Sequence, residues 1–216
     1  IYYSDDLYNW VDKGLGFSTY EDEADFEEKC KDKDSVYGKY YNVENISQDP
    51  DYTNIYGEDF QAFADDSSNY NMDSAEDALA NVKYDLSVAD SAVYERPKMV
   101  FNEDTQRWVI WYHADGPIRG NPTSGSYSKA KAGVAISEGA DPAGPYKYLG
   151  SFRMSPGSNT GNPGMARDMN LFVDDKDANG DGVLDAYLIY ASNENRDLTI
   201  SLLDKTYTKL VVPKDE

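Results

Sequence analysis

Two short stretches set a carboxylate beside an arginine, Glu95-Arg96-Pro97 and Ala166-Arg167-Asp168, and each stands just ahead of a run of strand-forming residues. A carboxyl group whose ionisation is governed by a neighbouring guanidinium is suited to acid–base work on a polar substrate. Where strands radiate from a common axis, a side chain at the start of the innermost strand points into the central cavity. Two such stretches in register would then build an acidic pocket braced by arginine. Taken singly, each is equally readable as a surface ion pair. His113, the only histidine, ends the run RWVIWYH within reach of the same pocket. A lone histidine commonly does no more than pack or hydrogen-bond.

A second constellation lies in DKDANGDGVLDAY, where Asp177, Asn179, Asp181, Gly182 and Asp185 spell D-x-N-x-D-G-x-x-D. Calcium takes six to eight oxygen ligands, and carboxylates or amides at alternate positions of a tight glycine turn supply them, with the Val183 carbonyl at the seventh position. The twelfth position is Leu188, so the bidentate glutamate of an EF-hand is missing, and no helices flank the loop. Asp174, Asp175, Asp177, Asp181 and Asp185 would repel one another without a cation. A structural calcium is therefore expected, the alternative being an acidic turn that favours left-handed residues.

The elements that must position these groups are strands. Runs at KMVF (98–101), RWVIWYH (107–113), AKAGVAIS (130–137) and YKYLGSF (146–152) form one group. MNLFV (169–173), DAYLIYA (185–191), LTISLL (198–203) and TKLVV (208–212) form a second. Two groups of four without an intervening helix predict antiparallel meanders, in a propeller, a sandwich or an up-and-down barrel. Trp108 and Trp111, three apart, fall on opposite faces of a strand, so at most one can stack on a ligand. Trp10 is expected in the core between blades.

Charge divides the chain further. Of 216 residues 40 are acidic and 20 basic, a formal net charge of −20. Residues 20–90 alone hold 20 acidic and 5 basic side chains. That stretch reads as a solvated insertion with two short helices, one through EDEADFEEKCKDK and one capped by Ser74. Cys30, the single cysteine, sits among carboxylates that should raise its pKa and make it a poor nucleophile. The acidic balance argues against nucleic acid as a partner, and no apolar run is long enough for a membrane span.

In their order and spacing, ERPKMVFNEDTQRWVIWYHAD, SYSKAKAGVAISEGADPAGPYKYLGSFR, ARDMNLFVDD and AYLIYASNENRDLTISLLD, with YYSDDLYNWVDKGLGF before them, resemble glycoside hydrolase family 43, in particular its exo-β-1,3-galactanase-like branch. The resemblance implies an all-β fold, a five-bladed β-propeller, of which residues 1–216 form a partial catalytic domain of two to three blades, with residues 20–90 inserted. It implies a polysaccharide or oligosaccharide substrate and inverting hydrolysis of terminal galactose, in a secreted, cell-surface or periplasmic bacterial protein. Glu95 then corresponds to a glutamate that contacts sugar, Asp168 to the aspartate that tunes and orients the acid, and Tyr127 to a tyrosine lining the sugar site. Arg96, His113, Arg167, Asn193 and Asn195 complete the implied substrate contacts. The family's general acid is a glutamate opening the next inner strand, and VVPKDE does not resemble that motif. About 145 residues outside the insertion are roughly half of what five blades of about 40–50 residues need. The chain therefore reads as a portion of a longer protein, whose other blades lie elsewhere. Two alternatives stand beside this reading: a calcium-stabilised propeller that binds glycans without cleaving them, and a family member specific for arabinose or xylose.

Overall fold

The computed structural model describes residues 1–55, 74–87, 92–153 and 164–211. The chain opens with a hairpin of two-residue strands, β1 (Tyr2–Tyr3) and β2 (Val11–Asp12). Trp10 belongs to this hairpin and is 56% exposed, so it is not the core residue its type suggests. Five helices follow: α1 (Glu23–Cys30), α2 (Val36–Tyr40), α3 (Val43–Gln48), α4 (Pro50–Ile55) and α5 (Ala75–Leu86). Four of them have an N-cap side chain that accepts an amide proton from the first turn, namely Asp22, Ser35, Asn42 and Ser74.

Two antiparallel meanders complete the described fold. The first pairs β3 (Val93–Asn102), β4 (Arg107–Asp115), β5 (Lys131–Ser137) and β6 (Tyr146–Phe152) in sequence order. The second pairs β7 (Met169–Val173), β8 (Ala186–Ser192) and β9 (Asp197–Leu202). The expected fourth strand at 208–212 does not form: Leu210 makes a single bridge to Leu203, and 212 lies outside the described residues. The two sheets meet where β7 packs on β3 and β4. The chain is thus mostly β-sheet with small helices.

Residues 20–55 and 74–87 are not a solvated decoration. Tyr20, Phe26, Tyr41, Ile46, Tyr52 and Ile55 are buried in the same core as the first sheet. On α5 the residues Ala78, Val82 and Leu86, four apart, form a fully buried stripe, and the helix lies on β6. Most of the acidic residues, Asp85 and Asp51 excepted, lie away from this core, so the composition looks solvated. Two tyrosines do more than pack. β6 ends the four-stranded sheet, and an unguarded edge exposes unpaired backbone groups. Here the Tyr41 hydroxyl accepts the Tyr148 N–H at 3.1 Å, and the Tyr52 hydroxyl donates to the Tyr148 carbonyl at 2.7 Å.

Charge pairs pin the same contact. Asp85 of α5, 2% exposed, receives Lys129 Nζ at 2.8 Å, Tyr148 Oη at 3.0 Å and Ser151 Oγ at 2.7 Å. Burial, the largest single influence, works to raise its carboxyl, but the charges of Lys129 and Lys131 and the hydrogen bonds from Lys129 and Ser151 together hold it below its ordinary value. Near α4, Asp51 takes Lys147 Nζ at 2.6 Å and Arg107 Nη2 at 2.8 Å. Cys30 is indeed a poor nucleophile, though burial, not neighbouring carboxylates, pushes its thiol up to about 11.

Candidate functional site

Glu95-Arg96-Pro97 lies inside β3 rather than ahead of it. Proline has no N–H for the ladder, and it is tolerated here because β3 is the other edge of the sheet. The register slips between Glu95, which faces His113, and Lys98, which faces Trp111, so that Arg96 and Pro97 oppose the single residue Tyr112 in a bulge with one extra residue. Arg96 is left-handed at φ 52°. A non-glycine residue pays about 1–3 kcal/mol for a sparsely populated backbone state, and what this one gains is direction. Its guanidinium leaves the sheet and reaches the other one, with Nε 2.6 Å from Asp168 Oδ1. Asp168 directly precedes β7, as the sequence predicts.

Behind this ion pair lies a buried charged layer. His113 is 2% exposed, with Nε2 2.9 Å from Asp115 Oδ2 and Nδ1 3.3 Å from Glu95 Oε2. The second approach has the distance of an ion pair but not the alignment of a hydrogen bond. Tyr127 Oη donates to Glu95 Oε1 at 2.9 Å, which holds the phenol above its ordinary pKa. Its ring sits under the Arg167 guanidinium at 5.8 Å and beside His113 at 6.1 Å. Arg167, 7% exposed, directs Nη2 to the Tyr127 carbonyl and to Glu194 Oε2, each at 3.2 Å, and Nη1 to Asp115 Oδ2 at 3.4 Å. Its Nε is buried without a hydrogen-bond partner.

Six of the expected residues thus meet at the seam between the sheets in two contact groups, Arg96 with Asp168, and Glu95, His113, Tyr127 and Arg167 together, the groups being neighbours along the chain at 95–96 and 167–168. Asn193 and Asn195 do not. Both are left-handed residues of the β8–β9 turn, and the Asn193 amide is spent on Asp197 at 3.1 Å. The turn contributes Glu194 instead. Asp115 also went unrecognised in the sequence. It is 1% exposed and takes the amides of Gly116 and Ala130 at 2.9 Å each, along with His113 and Arg167. The signal was available: Asp115 is two residues beyond His113, hence on the same face of β4. Neither tryptophan of β4 reaches the cluster: Trp111 Nε1 bonds the Tyr207 carbonyl and Trp108 Nε1 the Ala140 carbonyl.

Chemically, the cluster offers one exposed carboxylate paired with arginine (Asp168), one carboxylate bonded to a phenol (Glu95), and a buried donor, Arg167 Nε, still lacking an acceptor. A hydroxyl-rich ligand matches such a mixture of acceptors and donors.

No protein-family model matches the chain, and none of the curated proteins does. Solved structures do. The chain is similar to the exo-β-1,3-galactanase of Phanerochaete chrysosporium solved with β-1,3-galactotriose, at 36% identity over 59% of this chain and 24% of that one, with a TM-score of 0.44. It is similar to an exo-β-1,3-galactanase from Clostridium thermocellum at 32% identity over 57% and 25%, TM-score 0.43. A β-1,3-galactosidase of glycoside hydrolase family 43 matches 97% of this chain with 27% of its own, at 23% identity and a TM-score of 0.49. The chain thus spans about a quarter of the length of these three structures. They belong to the branch that the sequence motifs resemble.

Proposed function

We propose that the chain is part of an inverting glycoside hydrolase of family 43, a five-bladed propeller whose pocket takes the terminal galactose of a β-1,3-galactan or an arabinogalactan, outside the cytoplasm. The carrying observation is that Glu95 and Asp168, far apart in sequence, are drawn to one seam by the Arg96 ion pair and the Tyr127 bond.

Inversion requires a carboxylic acid to protonate the leaving oxygen and a second group to activate water on the opposite face of the sugar, about 6.5–9.5 Å away. Asp168, exposed and paired with Arg96, is the residue that orients and tunes the acid. The acid itself matches no residue of this chain and is assigned to the rest of the protein, together with the other blades. Glu95 accepts from sugar hydroxyls, and the Tyr127 oxygen, whose proton is given to Glu95, accepts from another. The His113–Asp115–Arg167 layer fixes Glu95 and Tyr127 from behind, so that little reorganisation accompanies binding.

The test is a product assay on the full protein. Release of galactose from β-1,3-galactan, with the α-anomer appearing first by NMR, supports the reading. Release of pentose from aryl arabinofuranosides or xylosides instead, or galactan binding without turnover, contradicts it.

A further inference from the structure

Two features of the fold lie outside the seam cluster. In the loop joining β7 and β8, Asp177, Asn179 and Asp181 turn their oxygens onto the loop's own amides, and Asp185 takes the Ala178 amide and the Tyr187 hydroxyl. The other feature is α5, and its contacts lead into the site. We propose that α5 braces the β4–β5 loop, residues 116–130, and that Asn81, Tyr84 and Asp85 are positioning residues that set Tyr127 for the sugar, an inference that rests on the seam being a sugar pocket.

Hairpin loops commonly have about 2–5 residues, and much longer connections are usually functional. Residues 116–130 far exceed that length, and a long loop keeps one shape only where it is tied down. Its neck is tied by the sheet. Asp115 Oδ1 accepts the amides of Gly116 and Ala130 at 2.9 Å each, one from either end of the loop, and the Lys129 amide donates to the Gly116 carbonyl at 3.0 Å. Ala130, left-handed at φ 45°, gives its carbonyl to the Ala166 amide at 2.8 Å, next to Arg167. Tyr127 stands just ahead of this neck, with its carbonyl on Arg167 Nη2 and its ring half-exposed.

The two arms of the loop are tied by the helix. Asn81, Tyr84 and Asp85 are spaced three and four apart, hence on one face of α5, beside the apolar stripe that lies on β6. On the arm leaving β4, the Tyr84 hydroxyl donates to the Pro117 carbonyl at 3.0 Å and Arg119 Nη1 donates to Asn81 Oδ1 at 3.1 Å. On the returning arm, Lys129 Nζ reaches Asp85 Oδ1 at 2.8 Å and stands over the Tyr84 ring at 5.6 Å. Lys129 and Asp85 are both buried, so parting them would strand a charge, and the pair fixes the returning arm at one place. The Asp85 carbonyl in turn receives the Tyr94 hydroxyl, and Glu95, the next residue of β3, accepts the Tyr127 hydroxyl at 2.9 Å. Helix, loop and strand thus close a circuit through Asp85, Lys129, Tyr127, Glu95 and Tyr94. The acidic stretch 20–90, by composition a decoration, contributes through its last helix to the direction of a sugar-binding ring.

The experiment compares the full protein with Asp85→Asn and with the double variant Tyr84→Phe/Arg119→Ala, which cuts two ties without leaving a buried charge unpaired. Galactose affinity is measured by calorimetry, KM and kcat on β-1,3-galactotriose, and exchange of the loop amides by NMR. In the double variant, galactose Kd and KM should each rise about three- to tenfold, the loss of roughly one hydrogen bond. Tyr127 binds substrate and transition state alike, so kcat should be unaltered. Exchange at Lys129 and Ala130 should quicken about tenfold while β5 keeps its protection. Asp85→Asn should move the same quantities further; if it fails to fold, the double variant decides. A lower melting temperature with parental Kd, KM and loop exchange, or a fall in kcat alone, overturns the proposal. If the unmutated protein binds no galactose, it is the sugar-pocket reading that fails, and the exchange arm still decides the brace: faster loop exchange upholds it and unaltered exchange overturns it.

Discussion

Arg96 Nε and Asp168 Oδ1 lie 2.6 Å apart, a contact that joins the bulge of one sheet to the opening of the next. Both side chains are more than half exposed, at 59% and 55%. Exposed ion pairs contribute about 0–1 kcal/mol to stability. The left-handed strain at Arg96 is thus not repaid by this pair in folding energy, and positioning of Asp168 is the role left for it.

Arg96→Ala should accordingly change stability by no more than about 1 kcal/mol while lowering kcat/KM about 10- to 100-fold. Urea unfolding and kinetics on the full protein check both halves. A large stability loss, or unaltered kinetics, contradicts the positioning role.

Tyr127→Phe removes one hydroxyl from a half-exposed ring. The expected outcome is three- to tenfold weaker galactose binding, the worth of a single hydrogen bond at about 0.5–1.5 kcal/mol, with melting unaffected. Calorimetry with galactose measures it.

The Asp85–Lys129 pair predicts a pH signature. The folded carboxyl titrates below the ordinary value of 3.8, so its stabilisation is present above that pH and is lost as pH falls through the lower folded value. Asp85→Asn should cost about 3–5 kcal/mol at pH 7, because a buried lysine loses its partner. The gap between variant and parent should narrow toward pH 3 in urea unfolding. A gap independent of pH would remove the pair from the account of stability.

Tyr41→Phe leaves the Tyr148 N–H on the edge of β6 without an acceptor. The variant should lose about 1–3 kcal/mol, and Tyr148 amide exchange should accelerate by a similar factor. Unchanged protection of that amide would show that the helices do not guard the edge.

Strand positions were legible wherever alternation ran cleanly between turns: β6 and β7 occupy the residues the pattern predicts. Legibility failed where one residue plays two parts. β3 begins five residues before KMVF because a bulge with proline hides the first half of the strand. The helical stretch read as solvated because its core is built of tyrosines, whose hydroxyls bond the sheet edge, and because Asp85 is a buried charge that composition cannot separate from an exposed one. Arg96 and Asp168 were visible as residue types, but only the backbone of the bulge shows that they meet. Asp115 could have been read from its spacing to His113, but Glu194 needed the placement of the β8–β9 turn beside Arg167, which the sequence leaves unspecified.

The most direct test of the proposed function is kcat of Asp168→Asn in the full protein on β-1,3-galactotriose. A fall of at least about 100-fold, roughly 2.7 kcal/mol of transition-state stabilisation, with galactose still bound, is the expected result. An unaltered kcat would contradict the role of Asp168 and, with it, the reading of the seam as half of an active site.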